Sequence, residues 1–130
     1  MWTYLLVALG GALGSVARFW FSGWLASRWG EIFPWGTLIV NVSGSFAIGF
    51  LSAFSQPGGR HWISAESRTF FMVGVCGGYT TFSSFSLQTF HLVKDGEWLY
   101  AGANATLSVA LCFGAVWLGY ILARTLGARS

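Results

Sequence analysis

Long apolar runs alternate along the chain with short clusters of charged residues. Three of these runs carry no charge at all: Ile32 to Gly59, Thr69 to Val93, and Trp98 to Ala123. A fourth, from Met1 to about Ser27, is interrupted only by Arg18. Each run is long enough for the ~20 residues that cross a bilayer as a helix. The pattern predicts an all-α membrane protein in which residues 1–130 form one domain, with transmembrane helices at roughly residues 2–26, 34–55, 68–92 and 98–124.

The composition supports this class. Of the 130 residues, 55% are hydrophobic and 8% are Asp, Glu, Lys or Arg, whereas soluble domains average about 25% charged residues. A disordered chain is therefore excluded, and an ordinary soluble domain is strongly disfavoured. The first run lacks the basic start and the cleavage site of a signal peptide, so we expect its helix to be retained. Cys76 and Cys112 lie inside predicted spans, where we expect buried free thiols.

The basic residues divide almost evenly between the two ends of the spans. Lys and Arg in short loops normally mark the cytoplasmic side. One side holds both termini and the second loop, with Arg60, Arg68, Arg124 and Arg129; the other holds Arg28 and Lys94, plus Arg18 if it extends outward. This balance leaves two alternatives open: a single orientation with the termini inside, or dual topology with copies paired antiparallel.

The first predicted span carries the only charge within a membrane segment. Gly10, Gly14, Arg18 and Ser22 follow at four-residue spacing and share one narrow face. Small residues at this spacing allow close helix packing. Arg18 either reaches the headgroups or attracts an anion at the mouth of a polar cavity.

Thin polar stripes mark the second and fourth spans. The stripe of the second span is Thr37, Asn41, Ser45 and Gly49, and that of the fourth is Asn104, Ser108 and Cys112. An unsatisfied amide in the membrane costs several kcal/mol, so Asn41 needs a partner. It either links helices or lines a pore.

The third span contains a predicted interruption. Gly77 and Gly78 are followed by Thr80 and Thr81, and paired glycines disfavour a continuous helix. A break would free carbonyls around Gly77 to bind a cation, while Thr80 and Thr81 would cap the second half-helix. The alternative is a kinked helix that packs tightly through the two glycines.

Aromatic and hydroxyl side chains follow the predicted break. Phe82, Phe85 and Thr89 share a helix face, and beside them lie Ser83, Ser84 and Ser86. Phenylalanines at this spacing commonly serve packing. The electropositive edge of a phenyl ring also suits a small anion, so both roles stay open.

Some chemistries are missing from the sequence. The predicted spans contain no acidic residue, which disfavours the proton-coupled small multidrug-resistance transporters. There is no metal-ligand cluster, nucleophile–base pair or phosphate loop, so the chain is not predicted to be an enzyme. The cations are dispersed, and nucleic acid is not an expected partner.

Three segments together resemble the Fluc (CrcB) family of fluoride channels. They are Gly10-x-x-x-Gly14-x-x-x-Arg18, Gly36 to Phe46, and Gly77-Gly78-Tyr79-Thr80-Thr81-Phe82-Ser83-Ser84-Phe85-Ser86. The resemblance covers all four spans. It implies a passive fluoride channel of the bacterial inner membrane, built as an antiparallel, dual-topology homodimer with two pores and a third helix broken at mid-membrane.

The resemblance also assigns residues. A central structural sodium ion would bind the backbone carbonyls of Gly77 and Thr80, and no organic cofactor is implied. The residues that it places along the fluoride pores are Asn41, Phe82, Phe85, Thr37, Ser83, Ser84, Ser108 and Thr81. Arg18 and Gln88 are predicted to serve the vestibule or the structure.

Gln88 departs from the family pattern, because a glutamate is expected at this position. Its neutral amide can still donate a hydrogen bond, so we expect conduction to survive. Tyr79 and Ser84 are smaller departures from the same family pattern. The rival predictions are a small multidrug-resistance-type transporter and a non-conducting assembly subunit whose polar stripes only join helices.

Overall fold

The computed structural model describes residues 1–55 and 63–128, and these residues form helices and no strand. Arg60 and Arg129, which enter the charge pattern above, lie outside the described residues. The helices are α1 (Trp2–Trp29), α2 (Trp35–Ala53), α3 (Ala65–Arg68), a π-helix (Thr69–Cys76), α4 (Gly77–Tyr79), α5 (Phe82–Lys94) and α6 (Trp98–Ala128). The all-α class is confirmed.

Three of these helices are long and apolar enough to cross a membrane, namely α1, α2 and α6. The third predicted span is divided between shorter helices, so no single helix in it has the required length. Large apolar side chains are exposed along the spanning helices, for example Leu13, Phe19 and Phe113. Such a surface suits lipid or another protein chain rather than water. The chain is a multi-pass membrane protein.

Glycines bring α1 into backbone contact with the third span. Gly10 and Gly14 are buried, and a Cβ at Gly14 would lie 2.8 Å from the Tyr79 nitrogen and still closer to the Val75 carbonyl oxygen. A Cβ at Gly78 would likewise lie 2.5 Å from the Gly11 carbonyl oxygen. The glycine face predicted on the first span is therefore a packing face, as small residues are in other membrane helices.

The other close pair is α2 with α6. A Cβ at Gly49 would overlap the Val116 carbonyl, and one at Gly119 would lie 3.0 Å from the Phe50 nitrogen. Both thiols are unpaired; Cys76 is buried as expected, whereas Cys112 is only half-buried.

The third span is interrupted, but three residues later than the paired glycines indicated. Gly77 keeps helical angles (φ −63°, ψ −39°), whereas Thr80 is extended (φ −79°, ψ 156°). Only Gly78 packs closely on α1, since a Cβ at Gly77 would meet nothing nearer than the Met72 carbonyl oxygen of its own span, at 3.9 Å. The span is therefore broken, and the close packing on α1 before the break involves Gly78.

Candidate functional site

The break is formed by two threonines with different roles. The backbone N–H and the hydroxyl of Thr80 both donate to the Cys76 carbonyl, at 3.0 and 2.9 Å. Thr80 thus ends the first half of the span, and the prediction that it caps the second half is wrong. The Thr80 hydroxyl thus reaches back one turn and gives the Cys76 carbonyl a second donor at the end of the helix.

Thr81 is the cap of the second half, as predicted. Its Oγ1 accepts a hydrogen bond from the Ser84 backbone N–H at 3.2 Å and donates to the Ser84 hydroxyl at 3.1 Å. The Ser83 hydroxyl lies 3.3 Å away. The N-terminus of α5 therefore carries a cluster of hydroxyls, at the helix end whose dipole favours an anion.

Asn41 bridges α2 to the break. Its Oδ1 accepts from the Thr81 N–H at 2.7 Å, and its Nδ2 donates to the Thr81 carbonyl at 3.0 Å. In a continuous helix the Thr81 N–H would bond the Gly77 carbonyl. Asn41 replaces that bond, so its side chain has the partner that the sequence demanded and holds the break in place.

A cavity of about 910 Å³ opens beside the break. α1, α2, α5 and the loops at one end of the bundle line it, and its polar lining includes Arg18, Thr37, Thr81, Ser84 and Gln88. The structure thus brings Arg18 of α1 and Thr37 of α2 together with three polar residues at the start of α5. Glu31, His91, Asp95 and Glu97 also line the cavity, from the loop end.

Several polar groups in this cavity lack partners. Within residues 1–55 and 63–128, Arg18 forms no ion pair or hydrogen bond, and Oε1 of Gln88 is buried without a partner. Thr37 in the same lining is buried, with an exposed fraction of 7%. A half-buried cation beside a capped helix N-terminus can attract an anion and supply donors to it.

Phe82 and Phe85 stand together, apart from the cavity lining. Their ring centroids lie 5.4 Å apart with the planes tilted by 50°. Phe82 is 77% exposed, whereas Phe85 is half-buried. Neither ring is enclosed by the rest of the chain, so one chain does not form a closed passage around them.

A buried hydrogen-bond chain joins α5 to α6 at Asn104, which the sequence placed only in a polar stripe. Nδ2 of Asn104 donates to the Thr89 hydroxyl at 2.9 Å, and that hydroxyl donates to the Phe85 carbonyl at 2.8 Å. The Ser108 hydroxyl lies 3.4 Å from Oδ1 of Asn104. The sequence places Thr89 on the same helix face as Phe85, and this spacing is the sequence signal that Thr89 lies near the site.

Spanning helices, a broken helix between them and a polar cavity beside the break are typical of membrane proteins that move small solutes or ions. The sequence model of the family described as "CrcB-like protein, Camphor Resistance (CrcB)" matches residues 5–120. The chain belongs to the CrcB family, which confirms the resemblance.

Curated relatives of similar length agree with this family assignment. A "Fluoride-specific ion channel FluC" of Rhodospirillum rubrum is 57% identical over 119 residues, covering 92% of both chains. Another of Opitutus terrae is 59% identical over 120 residues, covering 92% of this chain and 91% of that protein. A third, of Paramagnetospirillum magneticum, is 55% identical over 123 residues, covering 95% of this chain and 96% of that protein. The family is one of ion channels rather than enzymes.

Proposed function

We propose that this chain forms a passive, fluoride-specific channel that exports cytoplasmic fluoride and so reduces its toxicity. The observation that carries the proposal is the break held by Asn41, which opens a capped α5 N-terminus and Arg18 onto one cavity. The relatives named above are fluoride-specific channels at more than half identity. No acidic residue lies in the described spanning helices, which disfavours the proton-coupled alternative.

The mechanism follows from the chemistry of a weak acid. Hydrogen fluoride crosses lipid undissociated and ionises in the more neutral cytoplasm, and the anion then leaves down its electrochemical gradient. Fluoride holds its water tightly, so each step of the passage must supply donors in place of water. Arg18 attracts the anion, and the hydroxyls and amides along the cavity replace its water; they belong to Thr37, Thr81, Ser84 and Gln88.

The remaining pore residues continue this path. Ring edges of Phe82 and Phe85 offer positive charge to an anion and nothing to a cation. Ser83 and Ser108 add hydroxyls, and Asn41 holds the break that the path passes. Chloride is larger than fluoride, and a path that replaces the water of fluoride with closely spaced donors would exclude it by size.

The channel is proposed to be an antiparallel, dual-topology homodimer in the bacterial inner membrane. The near-even loop charges support insertion in both orientations. The surface around the break supports a second copy: Phe82 is 77% exposed, and the hydrogen-bonded Ser43–Tyr79 pair, 2.9 Å apart, is also exposed. Exposed polar groups inside a membrane are costly against lipid.

A structural sodium ion is proposed at the break. The Gly77 carbonyl is suited to bind such an ion, because it loses its regular helical partner when the Thr81 N–H bonds Asn41. Unwound carbonyls at broken membrane helices are suitable sodium ligands. The carbonyls of Gly77 and Thr80 would hold the ion, which would join the broken helices and add a positive charge near the anion path.

Removing sodium tests this site. Protein purified and reconstituted with N-methylglucamine in place of sodium is expected to show slower fluoride efflux, and added sodium to restore it, because the broken helix ends lose their link. Efflux is followed with a fluoride electrode. An unchanged rate after exhaustive exchange would remove sodium from the proposal.

The function itself is tested by reconstitution. Liposomes loaded with potassium fluoride are expected to release fluoride when valinomycin lets potassium follow, with protein-free liposomes as the control and potassium chloride as the selectivity arm. Absence of release would make the channel assignment wrong and favour a non-conducting subunit. Release that needs an imposed pH gradient would favour a proton-coupled transporter.

A further inference from the structure

The buried chain of hydrogen bonds around Asn104 has one direction throughout. The Ser108 hydroxyl donates to Oδ1 of Asn104, Nδ2 of Asn104 donates to Thr89, and Thr89 donates to the Phe85 carbonyl. Donors that point the same way polarise one another and strengthen the chain. The chain ends on the backbone of one of the two paired phenylalanines, so α6 is linked directly to the turn that carries Phe85.

Asn104 is the most deeply buried member of this chain. It is 1% exposed, and Ser108 is 7% exposed. Among the described residues, Val40 and Asn104 have the largest fully buried side chains. A buried amide is stabilising only when its hydrogen bonds are made, so its position, and with it the position of the Phe85 turn, is narrowly determined.

The bond to Ser108 differs from the others in length. At 3.4 Å it is longer than an ordinary hydroxyl hydrogen bond, whereas the two bonds toward Phe85 are 2.9 and 2.8 Å. The strong bonds hold the helix turn. The weak bond leaves the single Ser108 proton available to a better acceptor at small cost.

We propose that Asn104 is a positioning residue of the anion path. Through Thr89 it holds the Phe85 turn against α6, and it orients the Ser108 hydroxyl until an anion accepts the hydrogen bond of that hydroxyl in its place. The proposal rests on the proposed channel function. No bond is broken or formed other than hydrogen bonds. A preorganised donor binds an anion without first reorganising its surroundings, so loss of Asn104 or Thr89 should weaken anion occupancy.

The test compares the fluoride concentration that gives half-maximal flux in reconstituted protein, which does not depend on how many channels are folded. In Asn104→Leu and in Thr89→Val it is expected to rise by roughly three- to tenfold, the range of one hydrogen bond between membrane helices. Thr89→Ser keeps the hydroxyl and is expected to restore the original value. Thr106→Val is the matched control, because Thr106 lies on the same helix as Asn104 but is exposed and outside the chain.

The outcomes separate the two proposals. If the original chain conducts no fluoride, the channel function fails. If it conducts and both variants keep its half-maximal concentration, the positioning role is wrong and Asn104 only joins helices. Failure of both variants to fold while Thr106→Val folds would also overturn the positioning role, in favour of a purely structural one.

Discussion

Fluoride efflux through Asn41→Leu is expected to be at least about tenfold slower than through the original chain. The substitution removes both hydrogen bonds to Thr81, at 2.7 and 3.0 Å. Each buried backbone group left without a partner costs ~1–3 kcal/mol, and about 1.4 kcal/mol corresponds to a factor of ten. The Thr81 N–H would then be free to bond the Gly77 carbonyl, as in a continuous helix, and this bond would close the break. Valinomycin-driven efflux at equal amounts of folded protein measures the effect.

The control for Asn41 is another polar residue of α2. Ser52→Ala removes a hydroxyl that bonds only the Gly49 carbonyl of its own helix, at 2.7 Å, and should leave efflux unchanged. If Asn41→Leu conducts as well as Ser52→Ala, the break does not depend on the Asn41 amide and the proposed path around it is wrong.

The second large effect is expected at the paired aromatic rings. Phe82→Ile keeps an apolar side chain but removes the electropositive ring edge and the ring pair with Phe85, and an aromatic pair contributes about 0.5–1.5 kcal/mol. Efflux is therefore expected to fall by up to about tenfold. Because Phe82 is 77% exposed, the loss cannot come from a cavity in the core of its own subunit.

Phe90→Ile makes the same change on the same helix and serves as the control. Phe90 is 60% exposed, and its nearest ring neighbour is His91, with ring centroids 6.1 Å apart, rather than Phe82 or Phe85. Its efflux should match that of the original chain. Equal efflux in Phe82→Ile and Phe90→Ile would return Phe82 to a packing role.

The sequence predicted much of this protein because hydropathy and local motifs act along the chain. Runs without charge indicate membrane helices wherever those helices lie in space, and the α1, α2 and α6 spans follow them. Thr81 was predicted as a cap because a cap needs only a hydroxyl and the next turn of helix. The motif from Gly77 to Ser86 identified the family in the same way.

Tertiary contacts decided what the motifs left open. The paired glycines predicted a break at Gly77, yet Gly78 packs on α1 within the helix and the break falls at Thr80 and Thr81. The Asn41 amide needed a partner, but the sequence could not say that the partner lies 40 residues away. Such pairings depend on which helices cross and at what height.

The sequence by itself determined the class, three of the spans, the family and the polar residue types, since each of these follows from the order of residues along one segment. Only the tertiary structure joined Arg18, Thr37 and Gln88 in one cavity. Only it linked Ser108 through Asn104 to the Phe85 turn. The physical reason is that the role of a hydrogen-bond donor depends on the acceptor that packing brings to it. The sequence of a single helix does not specify how that helix packs against the others.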